Sequence, residues 1–130
     1  MKKIFITLIF CILAVSISAM TFKTTKFSYR ENNGYGWSAW SPDEDSDMKI
    51  ELDQNTLVIY SPVVQWYSIF NMQPCYTDED GDKVIKANFY DQDMDRGILN
   101  IIYRTASNTY QIYIRFSNIQ WVYDVVVISQ

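Results

Sequence analysis

Apolar and polar residues alternate with a period of two along most of this chain. Met48, Ile50 and Leu52 fall on one face of their segment, while Lys49 and Glu51 fall on the other. Successive side chains of a β-strand point to opposite faces, so this period predicts strands with one buried face. No segment after residue 20 has the 3.6-residue apolar period of an amphipathic helix.

Short polar turns separate these alternating segments, which predicts about eight strands in a meander. The sequence therefore favours an all-β fold, a single small antiparallel up-and-down barrel of the calycin or lipocalin type, with a β-sandwich as the alternative. A closed barrel has no sheet edges, and closure would cover residues 125–128, which are apolar on both faces. The candidate strands are residues 21–30, 37–40, 48–53, 57–61, 63–71, 75–77, 83–90, 98–104, 110–116 and 119–128.

The first nineteen residues have the pattern of a secretory signal peptide. Lys2 and Lys3 precede a 12-residue apolar run, and small residues lead to Ala19. The run is shorter than the roughly 20 residues of a spanning helix, so no stable membrane span is expected after cleavage. We therefore expect a signal peptide at residues 1–19, a single β domain at residues 20–130, and export to the periplasm or the extracellular space.

Cleavage would make an acidic chain more acidic. It removes two lysines and no acid, so the net charge falls from −4 to −6. Such a surface repels phosphate backbones, and nucleic acid is therefore not an expected partner. Cleavage also removes Cys11, which leaves Cys75 without an internal partner, and we expect it to be a buried, unreactive thiol.

The chain has no histidine, which removes the commonest catalytic and metal-binding side chain. Ser-His-Asp and Cys-His nucleophile pairs are therefore excluded. Nearly all carboxylates fall in turn-like clusters, so no acid–base pair for glycoside hydrolysis can be named. We expect no enzymatic activity, no catalytic residue and no cofactor.

Three acidic loops are candidates for weak calcium binding. The clearest, Asp91-x-Asp93-x-Asp95, resembles the start of an EF-hand loop, which needs Gly at position six and Glu at position twelve. Those positions hold Arg96 and Ile102 instead. We therefore expect solvated hairpin tips, and we assign no metal site.

The string Trp37-Ser38-Ala39-Trp40-Ser41 resembles the Trp-Ser-x-Trp-Ser motif of thrombospondin type 1 repeats and cytokine receptors. In those families the indole rings stack between arginine side chains. The neighbours here are a proline and acids, so we expect the match to be a coincidence. Two residues three positions apart also lie on opposite faces of a regular strand.

Aromatic side chains dominate protein interfaces, so exposed tryptophans and tyrosines are the best candidates for a ligand or partner surface. For each candidate the alternative is packing in the core. The candidates are Trp37, Trp40, Trp66, Tyr67, Trp121 and Tyr123.

A series of motifs across nearly the whole mature chain resembles a group of small exported Bacteroidetes proteins of uncharacterised function. The motifs are Trp37-x-x-Trp40, Ile59-Tyr60-Ser61, Gln65-x-Tyr67-x-Ile69, Cys75-x-x-Asp78-x-x-Gly81 and Trp121-Val122-Tyr123. The resemblance implies export and a single β domain, and it transfers no functional residue.

These features together predict a non-catalytic exported β domain that binds a partner protein or a small ligand in the cell envelope. The alternative is a structural or assembly protein, with weak calcium binding at the acidic loops. An open cavity in the barrel would favour a carrier, whereas a filled barrel would place any function on the outer surface.

Overall fold

The computed structural model describes residues 19–129 and confirms an all-β protein. Apart from Ala19, the predicted signal peptide lies outside the described residues. The strands are β1 (Met20–Glu31), β2 (Glu44–Asp45), β3 (Lys49–Leu52), β4 (Thr56–Ile59), β5 (Gln65–Phe70), β6 (Tyr76–Thr77), β7 (Lys83–Tyr90), β8 (Arg96–Arg104), β9 (Thr109–Arg115) and β10 (Ile119–Ser129).

Eight of these strands close into an antiparallel barrel in the order β1, β3, β4, β5, β7, β8, β9 and β10. Closure is made by β10, which pairs with β1 from Glu31↔Ile119 to Thr21↔Ser129. The two short strands lie beside this path, β2 on β1 and β6 on β7. The predicted up-and-down barrel is therefore confirmed.

The interior of the barrel is filled by its own side chains. Inward residues alternate with outward ones along β7 and β9, as the period of two predicts. Phe22, Ile59 and Ile112 are completely buried in this core. Gly97 lets the Phe89 ring pack against the backbone, because a Cβ at this position would lie 2.1 Å from Phe89 Cζ. The chain therefore folds around a packed core.

Residues 37–40 were predicted to form a strand, and this is wrong. Trp37 forms an isolated bridge with Asn32, and the chain then follows the edge of β1 through separated hydrogen bonds. Ser38 N donates to Glu31 O at 2.8 Å, and Ser41 N donates to Tyr29 O at 2.7 Å. The hydroxyl groups of Ser38 and Ser41 accept hydrogen bonds from backbone N–H groups of β1. The two segments therefore do not form the regular backbone hydrogen bonds of paired strands.

The last strand is less covered than its sequence predicts. Val125 is buried and is the last β10 residue with a β9 partner, Tyr110. Among the described residues, the part of β10 that follows Val125 pairs only with β1. The outward Val126 and Ile128 are 47% and 55% exposed. The expectation that both faces of residues 125–128 are covered is therefore wrong, because the side chains of Val126 and Ile128 lie on the outer face of the barrel.

Cys75 also differs from the prediction. It is half-buried against the core, and it is disulfide-bonded rather than a free thiol. The prediction of an unpaired thiol assumed a chain without Cys11. That second cysteine is present in the whole chain and lies outside the described residues.

Candidate functional site

A guanidinium group lies between two indole rings on the outside of the barrel. Arg30 is on the outer face of β1, and its Cζ is 5.0 Å from the Trp37 ring centroid and 4.6 Å from the Trp40 ring centroid. Its Nε donates to Gln120 Oε1 at 2.9 Å, which fixes the plane of the group. A cation between two aromatic faces is attracted by both rings, so this contact stabilises the arrangement.

The stack continues on both sides of Arg30. Arg115 of β9 covers Trp37, with its Cζ 5.4 Å from the ring centroid. Trp40 and Tyr113, which is also on β9, form an edge-to-face pair with the ring centroids 6.1 Å apart. We call Arg115, Trp37, Arg30, Trp40 and Tyr113 the arginine–tryptophan ladder.

The expectation that the Trp-Ser-x-Trp-Ser string lacks stacking arginines is wrong. The arginines come from β1 and β9, which the fold brings to the string, and not from its neighbours in sequence. Trp37 and Trp40 also contact the same side chain, Arg30, because their segment is not a regular strand. Sequence reasoning missed Arg30, Tyr113 and Arg115. The string itself was the signal that could have prompted a search for them.

The serines of the string attach the ladder to β1. Ser38 Oγ accepts a hydrogen bond from Glu31 N at 3.1 Å, and Ser41 Oγ accepts one from Tyr29 N at 2.9 Å. The buried Ser28 donates through Oγ to Ser41 O at 2.6 Å. Both tryptophans are therefore held by the backbone next to them as well as by Arg30.

The hairpin before the ladder presents a tyrosine to solvent. Asn32 Oδ1 accepts from Gly34 N at 2.9 Å, and Asn33 Oδ1 accepts from Tyr35 N at 3.0 Å. Gly34, with φ +97°, allows the turn that these two side chains close. The Tyr35 side chain at the tip is 98% exposed, although its backbone is fixed. Sequence reasoning missed this residue.

A groove of about 600 Å³ lies between this hairpin and the edge of β1. Aromatic rings and hydrogen-bonding groups share its wall, and this mixture is typical of ligand sites. The lining residues are Tyr29, Glu31, Asn33, Tyr35, Gly36, Trp37, Ser38, Ala39 and Ser41.

The remaining predicted aromatic residues lie elsewhere. Trp66 is 50% exposed on the outer face of β5, and it is not part of the ladder. Trp121 is half-buried and meets the edge of the Phe116 ring, with the centroids 6.0 Å apart. Of the six candidates, only Trp37 and Trp40 share a contact at the outer surface in the described residues.

Tyr67 and Tyr123 are buried in the barrel interior. Burial raises the pKa of Tyr67 far above its usual value, and the nearby Tyr123 and Asp91 raise it further. Burial also raises the pKa of Tyr123, and a hydrogen bond with Gln65 partly offsets the shift. Both hydroxyls therefore stay protonated over the physiological range, and neither ring is available to a partner at the surface.

One acidic loop brings three carboxylates together. Oxygen atoms of Asp78, Asp80 and Asp82 lie within 4.8 Å of one another. However, Asp78 Oδ1 already accepts from the backbone N of both Asp80 and Asp82, each at 2.9 Å. These hydrogen bonds close the turn before β7, which is the hairpin-tip role that the sequence predicts for the acids.

Asp82 is also paired across the sheet. Its Oδ2 lies 3.0 Å from Arg104 Nη1, and its Oδ1 accepts from Thr105 N at 3.0 Å. Burial opposes ionisation of Asp82, but hydrogen bonds from Arg104 and Thr105 outweigh this and hold the pKa of Asp82 below its usual value. Because a cation already neutralises this carboxylate, the cluster is a poor ligand set for calcium.

The barrel matches no family model, no curated protein and no solved structure in the comparisons made with the chain. Within residues 19–129 there is no helix of the length and apolar character needed to span a membrane.

Proposed function

We propose that this chain is an exported, non-catalytic β domain that binds a ligand or partner in the groove beside the arginine–tryptophan ladder. The proposal of export comes from the signal-peptide pattern of residues 1–19. The proposal of a non-catalytic role comes from the missing histidine and the absence of a paired acid and base among the sequence candidates.

One observation carries the choice of site. Tyr35 is almost fully exposed on a hairpin fixed by two side-chain caps, next to a groove lined by further aromatic rings. An aromatic ring on a fixed backbone loses little conformational freedom when it binds, so it provides contact area at low entropic cost. Because the barrel interior is filled by its own side chains, we expect a ligand to bind on the outer surface.

The test is a titration of the purified protein with a neutral hexasaccharide, cellohexaose, and with an extended uncharged peptide, followed by nuclear magnetic resonance. We expect one probe to shift the indole N–H resonance of Trp37 and not that of Trp66. Tyr35→Ala should weaken that binding at least fivefold and leave the melting temperature unchanged.

Tyr76→Ala is the matched control, because Tyr76 is an exposed tyrosine at the opposite end of the barrel, beside the start of β7. It should leave binding unchanged. Equal losses in the two variants would contradict the choice of groove.

A second candidate function, assembly of copies of this chain, is supported by the open part of β10. Val126 and Ile128 are exposed on a stretch that, in the described residues, pairs with β1 alone. Such a stretch can pair with the same strand of a second copy. Light scattering of the purified protein and of Val126→Lys decides this: a dimer that Val126→Lys makes monomeric supports assembly, and a monomeric unmodified protein rejects it.

A further inference from the structure

Arginines without a carboxylate partner are unexpected in so acidic a protein. All 15 acidic residues of the chain lie within the described part, together with nine basic residues. Arg104 is nevertheless the only arginine there with a carboxylate within 4.0 Å. Arg30, Arg96 and Arg115 have aromatic neighbours instead.

These three arginines form a row across the outside of the barrel. Arg115 of β9 pairs with Gln120 of β10, and Gln120 pairs with Arg30 of β1. Arg96 lies on the neighbouring strand β8, two positions before Ile98, which is the partner of Arg115. With strands about 4.8 Å apart, the row from β8 to β1 spans about 14 Å.

Aromatic rings hold each guanidinium of this row. Arg30 and Arg115 contact Trp37, and Arg96 lies over Tyr90 with its Cζ 5.2 Å from the ring centroid. Tyr90 in turn stacks on Phe70, with the centroids 5.0 Å apart. A guanidinium stacked on a ring keeps its N–H donors at the edge of the stack, where an anion can accept two of them at once.

Two arginines of the row, Arg96 and Arg115, line an open groove. This second groove, of about 360 Å³, lies between Arg96 and Arg115, and Asn88 and Ser117 also line it. Among the described residues, the side chains of Arg96 and Arg115 donate no hydrogen bond to a protein acceptor. Arg115 also reaches Trp37, which lines the groove beside Tyr35, so the row connects the two grooves.

We propose that the partner bound on this face is an acidic polysaccharide. Its chain would lie along the row from Arg96 past Arg115 to Arg30, and continue into the groove beside Tyr35. This inference depends on the proposed function and names the chemistry of the ligand.

Two observations select this ligand class. Three arginines on strands that span about 14 Å complement a linear chain of negative charges better than a single small anion. The groove also contains Glu31, Asn33 and Ser38, whose oxygen atoms can accept hydrogen bonds from sugar hydroxyls. Single-stranded DNA has no free sugar hydroxyls along its chain, so it lacks these hydroxyl donors.

The test measures binding of four probes to the purified protein by isothermal titration calorimetry at 50 and 200 mM salt. The probes are hexagalacturonate, a sulfated heparin hexasaccharide, neutral cellohexaose and single-stranded dT12. We expect hexagalacturonate or the sulfated hexasaccharide to bind at least tenfold more tightly than the other two, and to weaken at the higher salt concentration. The tighter of the two acidic probes identifies carboxylate or sulfate as the anionic group.

The double variant Arg96→Gln/Arg115→Gln should weaken binding of the acidic probe at least tenfold and reduce the salt dependence of that binding. Lys86→Gln is the matched control, because Lys86 is an exposed cation on the outer face of β7 and does not line either groove. We expect it to change the affinity less than twofold.

The possible failures are distinguishable. Equal affinity for cellohexaose, or tighter binding of dT12, overturns the acidic polysaccharide and leaves the groove as a binding site. No binding of either acidic probe also overturns this inference. Binding that neither the arginine variant nor Tyr35→Ala weakens overturns the proposed function as well.

Discussion

The turns at residues 78–82 and 91–95, on either side of β7, share one backbone and differ in their surroundings. In each, the first aspartate accepts hydrogen bonds from the backbone N of the third and fifth residues, at 2.8 to 2.9 Å. The first and fifth residues also pair through their backbones, at 2.9 Å in both turns. The fourth residue has positive φ in both, +82° at Gly81 and +67° at Met94.

The differences begin with the fifth residue. Asp82 is buried and paired with Arg104, whereas Asp95 is exposed. The two turns show that alternating acids serve here to close a tight turn, a role that needs only local sequence. The additional role of Asp82 depends on Arg104, 22 positions away, which only the pairing of β7 with β8 brings close.

Replacing the aspartate at the fifth position of each turn should give the largest difference in stability between the two turns. We expect Asp82→Ala to lower the free energy of unfolding by about 2 kcal/mol, because it removes charge-assisted hydrogen bonds and leaves Arg104 without its partner. Asp95→Ala should change it by less than about 0.5 kcal/mol, as for other exposed side chains. Urea unfolding measures both, and equal effects would show that the pair with Arg104 contributes nothing.

Removing the first aspartate should instead affect the two turns alike. Asp78→Ala and Asp91→Ala each lose two hydrogen bonds from a side chain to the backbone, and each should cost about 1 kcal/mol. An asparagine side chain can accept the same two backbone hydrogen bonds. Asp78→Asn and Asp91→Asn should therefore lower the free energy of unfolding by less than about half as much. A loss of stability in Asp78→Ala without one in Asp91→Ala would show that the two turns are not closed in the same way.

Substitutions at the fourth position should change the stability of the protein in opposite directions in the two turns. Gly81→Ala is expected to cost about 1 kcal/mol, because an L-residue is strained at this φ. The cost is conformational rather than steric, since a Cβ there would meet Thr105 Oγ1 only at 4.0 Å. Met94→Gly should stabilise the protein by about 0.5 kcal/mol, since relief of strain exceeds the entropy that Gly adds to the unfolded chain. Thermal unfolding of both variants tests the signs.

The smallest expected difference is in the response to acid. The pKa of Asp82 is lowered in the folded protein, so its contribution is fully present above its unfolded value near 3.8 and is lost as the pH falls through the folded value. The stability difference between wild type and Asp82→Asn should therefore be constant above about pH 5 and decrease below about pH 4. Asp95→Asn serves as the control. A difference that stays constant down to pH 2 would mean that Asp82 has the same pKa in the folded and the unfolded protein.

The barrel could be predicted because its signals are local. The long strands carry their own alternation, and most turns carry an Asp, Asn or Gly. The strand predicted at residues 37–40 was wrong because Ser38 and Ser41 bond to β1 through their hydroxyls, and alternation does not register such contacts.

The candidate site could be predicted only in part. Trp37 and Trp40 were identified by residue type, but Arg30 and Arg115 lie 7 positions before and 78 positions after Trp37. Their place in the stack depends on the register of β1, β10 and β9, which no single segment encodes. Tyr35 was missed because the residues next to it in the sequence do not distinguish an exposed tyrosine from a buried one.

Closure of the barrel has a kinetic consequence. The pairs between β1 and β10 join residues 88 to 108 positions apart, so the strands that complete the barrel are the most distant in sequence. Proteins dominated by such distant contacts fold slowly, on the scale of milliseconds to seconds, because a long loop must be ordered before its contacts form. Until β10 arrives, β1 and β9 each present an open edge to other chains. In the folded protein β1 and β10 cover one another's edges along this seam, whereas the chain is vulnerable to aggregation just before the barrel closes.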